Sequence, residues 1–515
     1  MRRFLHSLFL GLLAVAVAPA QQVEGDVARE LTRQARRWEN GQTTADELTP
    51  WIEAAAKRPS VEVAAALLHL ASTGMDGTPV RPELSSATVR GLAEKSLGKL
   101  DDAAVLDTLI AASAPSQSDV AVRVAAVRAL GRSKRPVIRV FVERHLGDRN
   151  RLVRLAAAEA LAVRSHPASL DDLAQRLDVE DDALVLHAVA RTTHRVLKQA
   201  GASADPGAAL RATTSAIQAL GRSDDWRTDL ALVELLGEVR TARAIPPLID
   251  VLDRCRRDRD RRALPLRDRA TDVLCSLTGT RLAAADDVAG WRRFWEQHGT
   301  GFQVAPRVER RADGGATSAG FFGIAVRGSH IAFLIDVSGS MKAPLAPLPQ
   351  GSGTSARPDD GEPASRLAWA KHELESAVRN LPGDARFVVI PFSGRAARWN
   401  DRFVPPTPQV RAALHAMLGG LAAEGGTNLW GALDAALNLN DARFGEIVED
   451  GPDEIFVLSD GQPSAGEVQA PRAILAAIGE ANRYRRVRIH SVALGGESPL
   501  LRELAESHGG TYVAR

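Results

Sequence analysis

A segment of this chain repeats, and the repeat limits what the first half can fold into. Val122-Arg123-Val124-Ala125-Ala126-Val127-Arg128-Ala129-Leu130 returns 31 residues later as Val153-Arg154-Leu155-Ala156-Ala157-Ala158-Glu159-Ala160-Leu161. A third copy, Leu184 to Thr192, keeps the offset and loses the arginine. Apolar residues recur at helical spacing from about Asp26 to Gln297, with short breaks. One helix pair cannot bury its apolar stripe, but stacked pairs share a continuous core. Stacked helices are therefore expected, with an irregular all-α domain as the alternative. Asp119 and Asp148 precede the first two copies and are expected to cap them, with Arg154 packed against Asp148. Pro246 and Pro247 suit a helix start. Trp291 and Trp295 share a helix face and are expected to seal the last helices; a carbohydrate-binding aromatic pair is the alternative.

The pattern changes after residue 298. Residues 299–329 form a linker, rich at first in Gly, Ala and Arg, and Phe321-Phe322-Gly323-Ile324 is an apolar lead-in to the C-terminal domain. From Ile331 strands and helices alternate, the mark of a parallel sheet covered by helices. Strands are predicted at 331–336, 386–392, 454–459, 487–493 and 511–514. Helices are predicted near 365–380, 408–422, 428–440, 469–484 and 499–507. A chain of 515 residues exceeds one core. The expected fold class is multidomain: an all-α helical repeat over 21–298, then a doubly wound, mostly parallel α/β domain over 330–515.

The run Asp336-Val337-Ser338-Gly339-Ser340 directly follows the apolar stretch Ile331–Ile335. Downstream lie Gly425-Gly426-Thr427-Asn428 and Leu458-Ser459-Asp460-Gly461. In a doubly wound sheet, ligands bind beyond the carboxyl ends of the strands, where Asp336 and Asp460 both fall. Hydroxyls and carboxylates without a soft ligand suit a hard cation such as Mg²⁺, which takes six oxygens at about 2.0–2.1 Å. Mn²⁺ and Ca²⁺ are the other candidates.

These ordered motifs resemble the von Willebrand factor type A (VWA) domain with its metal-ion-dependent adhesion site, over residues 330–515. The helical pattern resembles HEAT repeats, irregularly, with residues 26–115 matching poorly. The first resemblance implies a Rossmann-like sheet completed by a short antiparallel edge strand near 397–403. It implies Ser338, Ser340 and Thr427 as direct metal ligands, with Asp336 and Asp460 direct or water-bridged. It also implies a protein partner that supplies a carboxylate to the metal. A Pro/Gly/Ser-rich insertion between Met341 and Ala364 leaves from the metal loop and is expected to shape the binding face.

Other classes are disfavoured. Formal net charge is only +2, and the arginine-rich run from Arg254 to Arg269 is interleaved with aspartates, so no nucleic-acid partner is expected. Ser338 lacks the Gly-x-Ser-x-Gly elbow, no Gly-x-x-x-x-Gly-Lys loop exists, and His372-Glu373 lacks the second zinc-protease histidine. The chain is read as non-enzymatic, hydrolysis being the weakest alternative. Arg2-Arg3, the apolar run Leu8–Ala18 and Ala18-Pro19-Ala20 read as a signal peptide over 1–20. No membrane span is expected in the mature chain, which would be periplasmic, envelope-associated or extracellular. Cys255 and Cys275 are read either as a disulfide, which export permits, or as two core thiols. The function read from sequence is metal-dependent adhesion to a protein, presented by a helical platform. The alternative is a scaffold that binds through its helices, the metal only stabilising the second domain.

Overall fold

Aspartate side chains start many of the helices that the periodicity predicts. Asp102, Asp119, Asp182, Asp205, Asp225 and Asp287 each accept a backbone N–H from the first turn of the next helix. Fifteen α-helices run from Glu24–Glu39 to Val288–His298 among the described residues. The computed structural model describes residues 24–74, 86–222, 225–257, 264–280, 282, 287–306, 320–326, 328–345, 364–439, 444–446, 451–460 and 462–515. The expected signal peptide, most of the linker and the centre of the 341–364 insertion lie outside them. Two compact units meet in sequence between Arg164 and Ser165, within the helical stretch.

In the first unit the repeated helices are Val120–Leu130 and Arg151–Arg164. Val153 is fully buried and Leu161 nearly so, as their shared face requires. Asp148 does not cap the second helix. Its carboxylate pairs with Arg123 of the preceding copy, both side chains being less than a tenth exposed. Asn150 takes the cap, its Oδ1 accepting the N–H of Leu152 at 2.9 Å. Arg154 is partly buried and donates to the backbone carbonyls of Asp148 and Arg149 at 3.0 and 3.2 Å. A second buried group joins the helices: Arg128 pairs with Glu94 and approaches Glu159 at 3.9 Å, and Arg132 reaches Glu94 at 3.0 Å. Gly131 marks a close approach, since a Cβ there would stand 2.7 Å from Ala160 Cα.

Breaking a buried ion pair from one side leaves an uncompensated charge and costs about 3–5 kcal/mol. Arg123→Ala should therefore destabilise the chain by about that amount in equilibrium urea unfolding. A loss below about 1 kcal/mol would be the value for a solvent-screened surface pair.

The second unit carries the remaining helices and the sheet. Trp291 is fully buried, edge-on to Phe294 at 6.0 Å, and Trp295 lies against Phe302 at 5.7 Å. Both rings pack against neighbouring aromatics, as the sealing role expects. Cys255 and Cys275 are half-buried and form no disulfide. No helix among the described residues is long and apolar enough to cross a membrane.

The sheet elements are β1 (Gly320–Phe321), β2 (Ile324–Ala325), β3 (His330–Asp336), β4 (Arg386–Phe392), β5 (Glu454–Ser459), β6 (Arg488–Ala493) and β7 (Tyr512–Ala514). β1 and β2 make a small antiparallel ribbon; the other five form a parallel sheet in the order β4-β3-β5-β6-β7. From β3's Ile331 to Asp336 every residue is buried, as befits a central strand covered on both faces. The helices Arg366–Arg379, Pro408–Gly420, Leu429–Leu437, Pro471–Arg485 and Pro499–Ser507 connect the strands. The lead-in Phe321 is fully buried and meets Phe333 and Phe456 edge-on at 5.4 and 5.6 Å.

The antiparallel edge strand expected near 397–403 is not a continuous strand. The Trp399 N–H donates to Val389 O, and Phe387 and Val404 exchange a pair of backbone bonds. Between those anchors five steps of chain face only two of β4, so the surplus polar residues Asn400, Asp401 and Arg402 bulge out of the ladder.

Within this second unit, the helices and the sheet domain touch at a charged corner. Arg486, just after helix Pro471–Arg485, pairs with Glu234 at 3.0 Å, and Arg227 Nε donates to Arg485 O at 3.4 Å. His187, on helix Ala183–Ala200, lies buried nearby, its Nδ1 3.1 Å from Arg227 O. Burial, then the charges of Arg486, Arg191 and Arg227, hold its pKa well below 6.5. A depressed histidine gives stability that is complete above the unfolded value of 6.5 and is lost as pH falls toward the folded value. The melting temperature should drop on acidification below about pH 6.5, and His187→Gln should flatten that drop. Identical pH profiles for the two proteins would assign the acid sensitivity to other groups.

Candidate metal centre

The register of the sheet assembles the site. Ile335 on β3 pairs with Leu458 on β5, so both strands end at one rim. Asp336 closes β3, and its carboxylate is fully buried. Its Oδ1 accepts the Ser338 N–H at 2.8 Å, and its Oδ2 accepts the Ser459 hydroxyl at 2.6 Å. Burial raises its pKa above the usual carboxylate range; the bonds from Ser338 and Ser459 oppose that, and the nearby Asp460 charge adds to it. Ser338 Oγ lies 3.0 Å from Ser340 Oγ, and Ser340 Oγ donates to Asp460 Oδ1 at 2.8 Å. A connected set of oxygens therefore runs from the end of β3 to the end of β5.

Thr427 is brought to the same rim by its loop. The Gly339 N–H donates to Gly425 O at 3.0 Å, and Glu424 N–H to Val337 O at 2.8 Å. Gly425 has φ +77°, a left-handed conformation that glycine adopts without strain. Thr427 itself is buried, with its N–H donating to Ser464 Oγ at 3.0 Å. Its hydroxyl takes no part in the hydrogen bonds that link the other four residues. Gly461 lies outside the described residues.

Three partners escaped sequence reading. Ser459 bonds Asp336 from the neighbouring strand, and Ser464 supports Thr427. Arg366, the first residue of helix Arg366–Arg379, places Nη1 2.5 Å from Asp460 Oδ2. Only a register could have revealed the first, because Ser459 sits opposite Asp336 when β3 and β5 pair in parallel. No sequence signal marks the other two.

The donors suit a hard cation. All are oxygens, carboxylate and hydroxyl, with no soft ligand among them, the donor chemistry that Mg²⁺ and Ca²⁺ take. Ser338, Ser340 and Asp460 are held together by hydrogen bonds of 3.0 and 2.8 Å, so three of the donors are already gathered. Among the described residues no cluster of three or more His, Cys, Asp or Glu offers a competing site.

A von Willebrand factor type A family model matches residues 359–514, and a HEAT-repeat model matches residues 113–194. The chain carries a von Willebrand factor type A domain behind HEAT repeats. The matched VWA stretch includes Thr427 and Asp460; Asp336, which ends β3 between β4 and β5, and Ser338 and Ser340 just after it precede that stretch. Human inter-alpha-trypsin inhibitor heavy chain H4 is 26% identical over 178 residues, 32% of this chain and 17% of that protein. The chain thus spans well under a fifth of that relative. A von Willebrand factor type A structure from Catenulispora acidiphila matches at 20% identity and TM-score 0.27, covering 36% of this chain and 38% of that one. An aerotolerance-related membrane protein from Bacteroides fragilis matches at 18% identity and TM-score 0.25, covering 36% of this chain and 92% of its own. The VWA domain points to a role in protein interaction or adhesion.

Ser459 holds the oxygen of a buried carboxylate, and a hydrogen bond to a charged group contributes about 1.5–3 kcal/mol. Ser459→Ala should lower stability by about that amount in denaturant unfolding. An unchanged midpoint would mean that Asp336 is held without it.

Proposed function

We propose that this is a non-enzymatic, exported binding protein whose VWA domain holds Mg²⁺ through Asp336, Ser338, Ser340, Thr427 and Asp460. When bound, the metal supplies an electrophilic position for a carboxylate from a protein partner; Mn²⁺ or Ca²⁺ could replace it. The protein residues orient the site: Ser459 and the Ser338 N–H fix Asp336, and the Gly339–Gly425 bond brings in the loop of Thr427. The helical repeats are the platform from which the domain is presented. The observation that carries this reading is the gathering of Asp336, Ser338, Ser340 and Asp460, all oxygen-bearing, at one sheet rim, with the Thr427 loop tied to it by the Gly339–Gly425 bond. Ser338 Oγ meets another hydroxyl, and that pairing supplies no base, which favours binding over acyl transfer. Export to the periplasm, envelope or exterior rests on residues 1–20. No nucleic-acid partner is proposed.

One observation favours the second reading, a scaffold that binds through its helices. The Arg366 guanidinium already balances Asp460, so the rim has an internal cation of its own.

Two measurements separate these readings. The chain should melt higher in saturating Mg²⁺ than in EDTA, by a linkage of about 2.7 kcal/mol at 100 times Kd, and Asp336→Ala should remove the difference. Equal melting in both media would sink the metal assignment. Partner capture from an envelope extract should require Mg²⁺ and be lost in Thr427→Ala. Capture that survives both EDTA and Thr427→Ala would move the function to the helices.

A further inference from the structure

Arg366 occupies an unusual position. As the first residue of a fourteen-residue helix capped by Ser365, it puts a cation where the helix macrodipole is positive. That placement is unfavourable unless an anion offsets it, and the anion present is Asp460. The Arg366 backbone fixes the geometry, its N–H donating to Ala343 O at 2.9 Å. Asp460 is fully enclosed at its side chain, and both of its oxygens are engaged: Oδ2 by Arg366, Oδ1 by Ser340.

The guanidinium also has a fitted seat. Gly495 follows β6 with φ +91°, and a Cβ there would stand 2.0 Å from Arg366 Nη2 and 2.3 Å from Cζ. Leu494, its neighbour, donates to Ser459 O at 3.0 Å, which ties that seat to the end of β5. Any side chain at position 495 would push the guanidinium out. The Arg366 Nε is buried and meets no acceptor among the described residues, so the seat satisfies the charge through Asp460 and leaves Nε without a partner there.

We infer that Arg366 is a resident countercharge that sets the cation affinity of the rim: it holds Asp460 when no metal is bound, and a metal must share or displace it. The inference rests on the proposal that the rim binds a divalent cation. Two cations drawing on one enclosed carboxylate repel each other, so a metal enters this rim more weakly than one without Arg366. Arg366 is thus a positioning residue that tunes metal affinity. The partner senses it only through the metal.

The test is isothermal titration of the full chain with Mg²⁺, and separately with Mn²⁺, alongside melting in EDTA and in saturating Mg²⁺. Arg366→Gln keeps a hydrogen-bond donor and removes the charge; Arg366→Lys keeps the charge and removes the fork. Arg366→Gln should tighten Mg²⁺ binding by about tenfold or more, melt lower than wild type in EDTA, and gain more from Mg²⁺. Arg366→Lys should stay within about threefold of wild type. A purely structural arginine would lower melting in both media without tightening the metal. Binding by wild type with equal or weaker binding by Arg366→Gln overturns this inference and leaves the metal site standing. Binding by Arg366→Gln where wild type shows none supports it most strongly. Absence of binding in wild type and Arg366→Gln alike, matching Asp336→Ala, overturns both.

Discussion

The parallel register of β3 on β5 is the constraint on which the rim depends. Ala332 faces Ile455, Phe333 faces Phe456, and Ile335 faces Leu458. That alignment sets Asp336 beside Ser459 and delivers Asp460 one residue beyond. A slip of one residue would turn every side chain of β3 to the opposite face and take Asp336 out of reach of the Ser459 hydroxyl. The register is held because both faces of β3 are buried, with Phe333 stacked on Phe456 at 5.4 Å and Phe321 closing over them. The aromatic core therefore places the carboxylate, and the carboxylate in turn dictates the local bonds.

Burying Asp336 is costly, and its raised pKa expresses that cost. The fold offsets it with one backbone N–H and one hydroxyl, and it keeps Asp460 balanced by Arg366. The opposite end of the sheet shows the same economy of charge. Asp453 is buried with a raised pKa, dominated by desolvation, and accepts bonds from Ser329 and from the His330 N–H. Glu454 takes His490 at 3.1 Å and the Gly328 N–H at 2.7 Å. These carboxylates fasten the start of β3 to β5 and to β6, so enclosed acids define both ends of the strand pair.

The helical units use buried ion pairs differently, to join one repeat to the next. Arg123 with Asp148, and Arg128 with Glu94, link elements of the first unit that are separated in sequence by one intervening helix. The repeated Val-Arg was visible in the sequence, but the pairing of Arg123 with Asp148 was not. Asp148 looked like a cap for its own helix, because capping is a local rule that needs only adjacency in the chain. The stacked neighbour supplied a stronger partner for that carboxylate, and Asn150 was close enough to take the cap. The edge of the sheet differed from expectation for a similar reason: the segment carrying Trp399 and Val404 reaches β4, yet its surplus residues cannot join the ladder.

Periodicity and motif order were enough to determine the two architectures and the five strands of the parallel sheet to within a residue or two. Each of those depends on spacing along the chain, which a sequence displays directly. The bonds from Ser459 and Ser464, the pairing of Asp148 with Arg123 and the seat of Arg366 against Gly495 depend on distances across the chain. Arg366 and Asp460 are 94 residues apart; nothing in the composition between them signals that they meet. Only the packing of a helix start against the rim of a parallel sheet brought the guanidinium to the carboxylate, because charge partners are chosen by proximity in three dimensions.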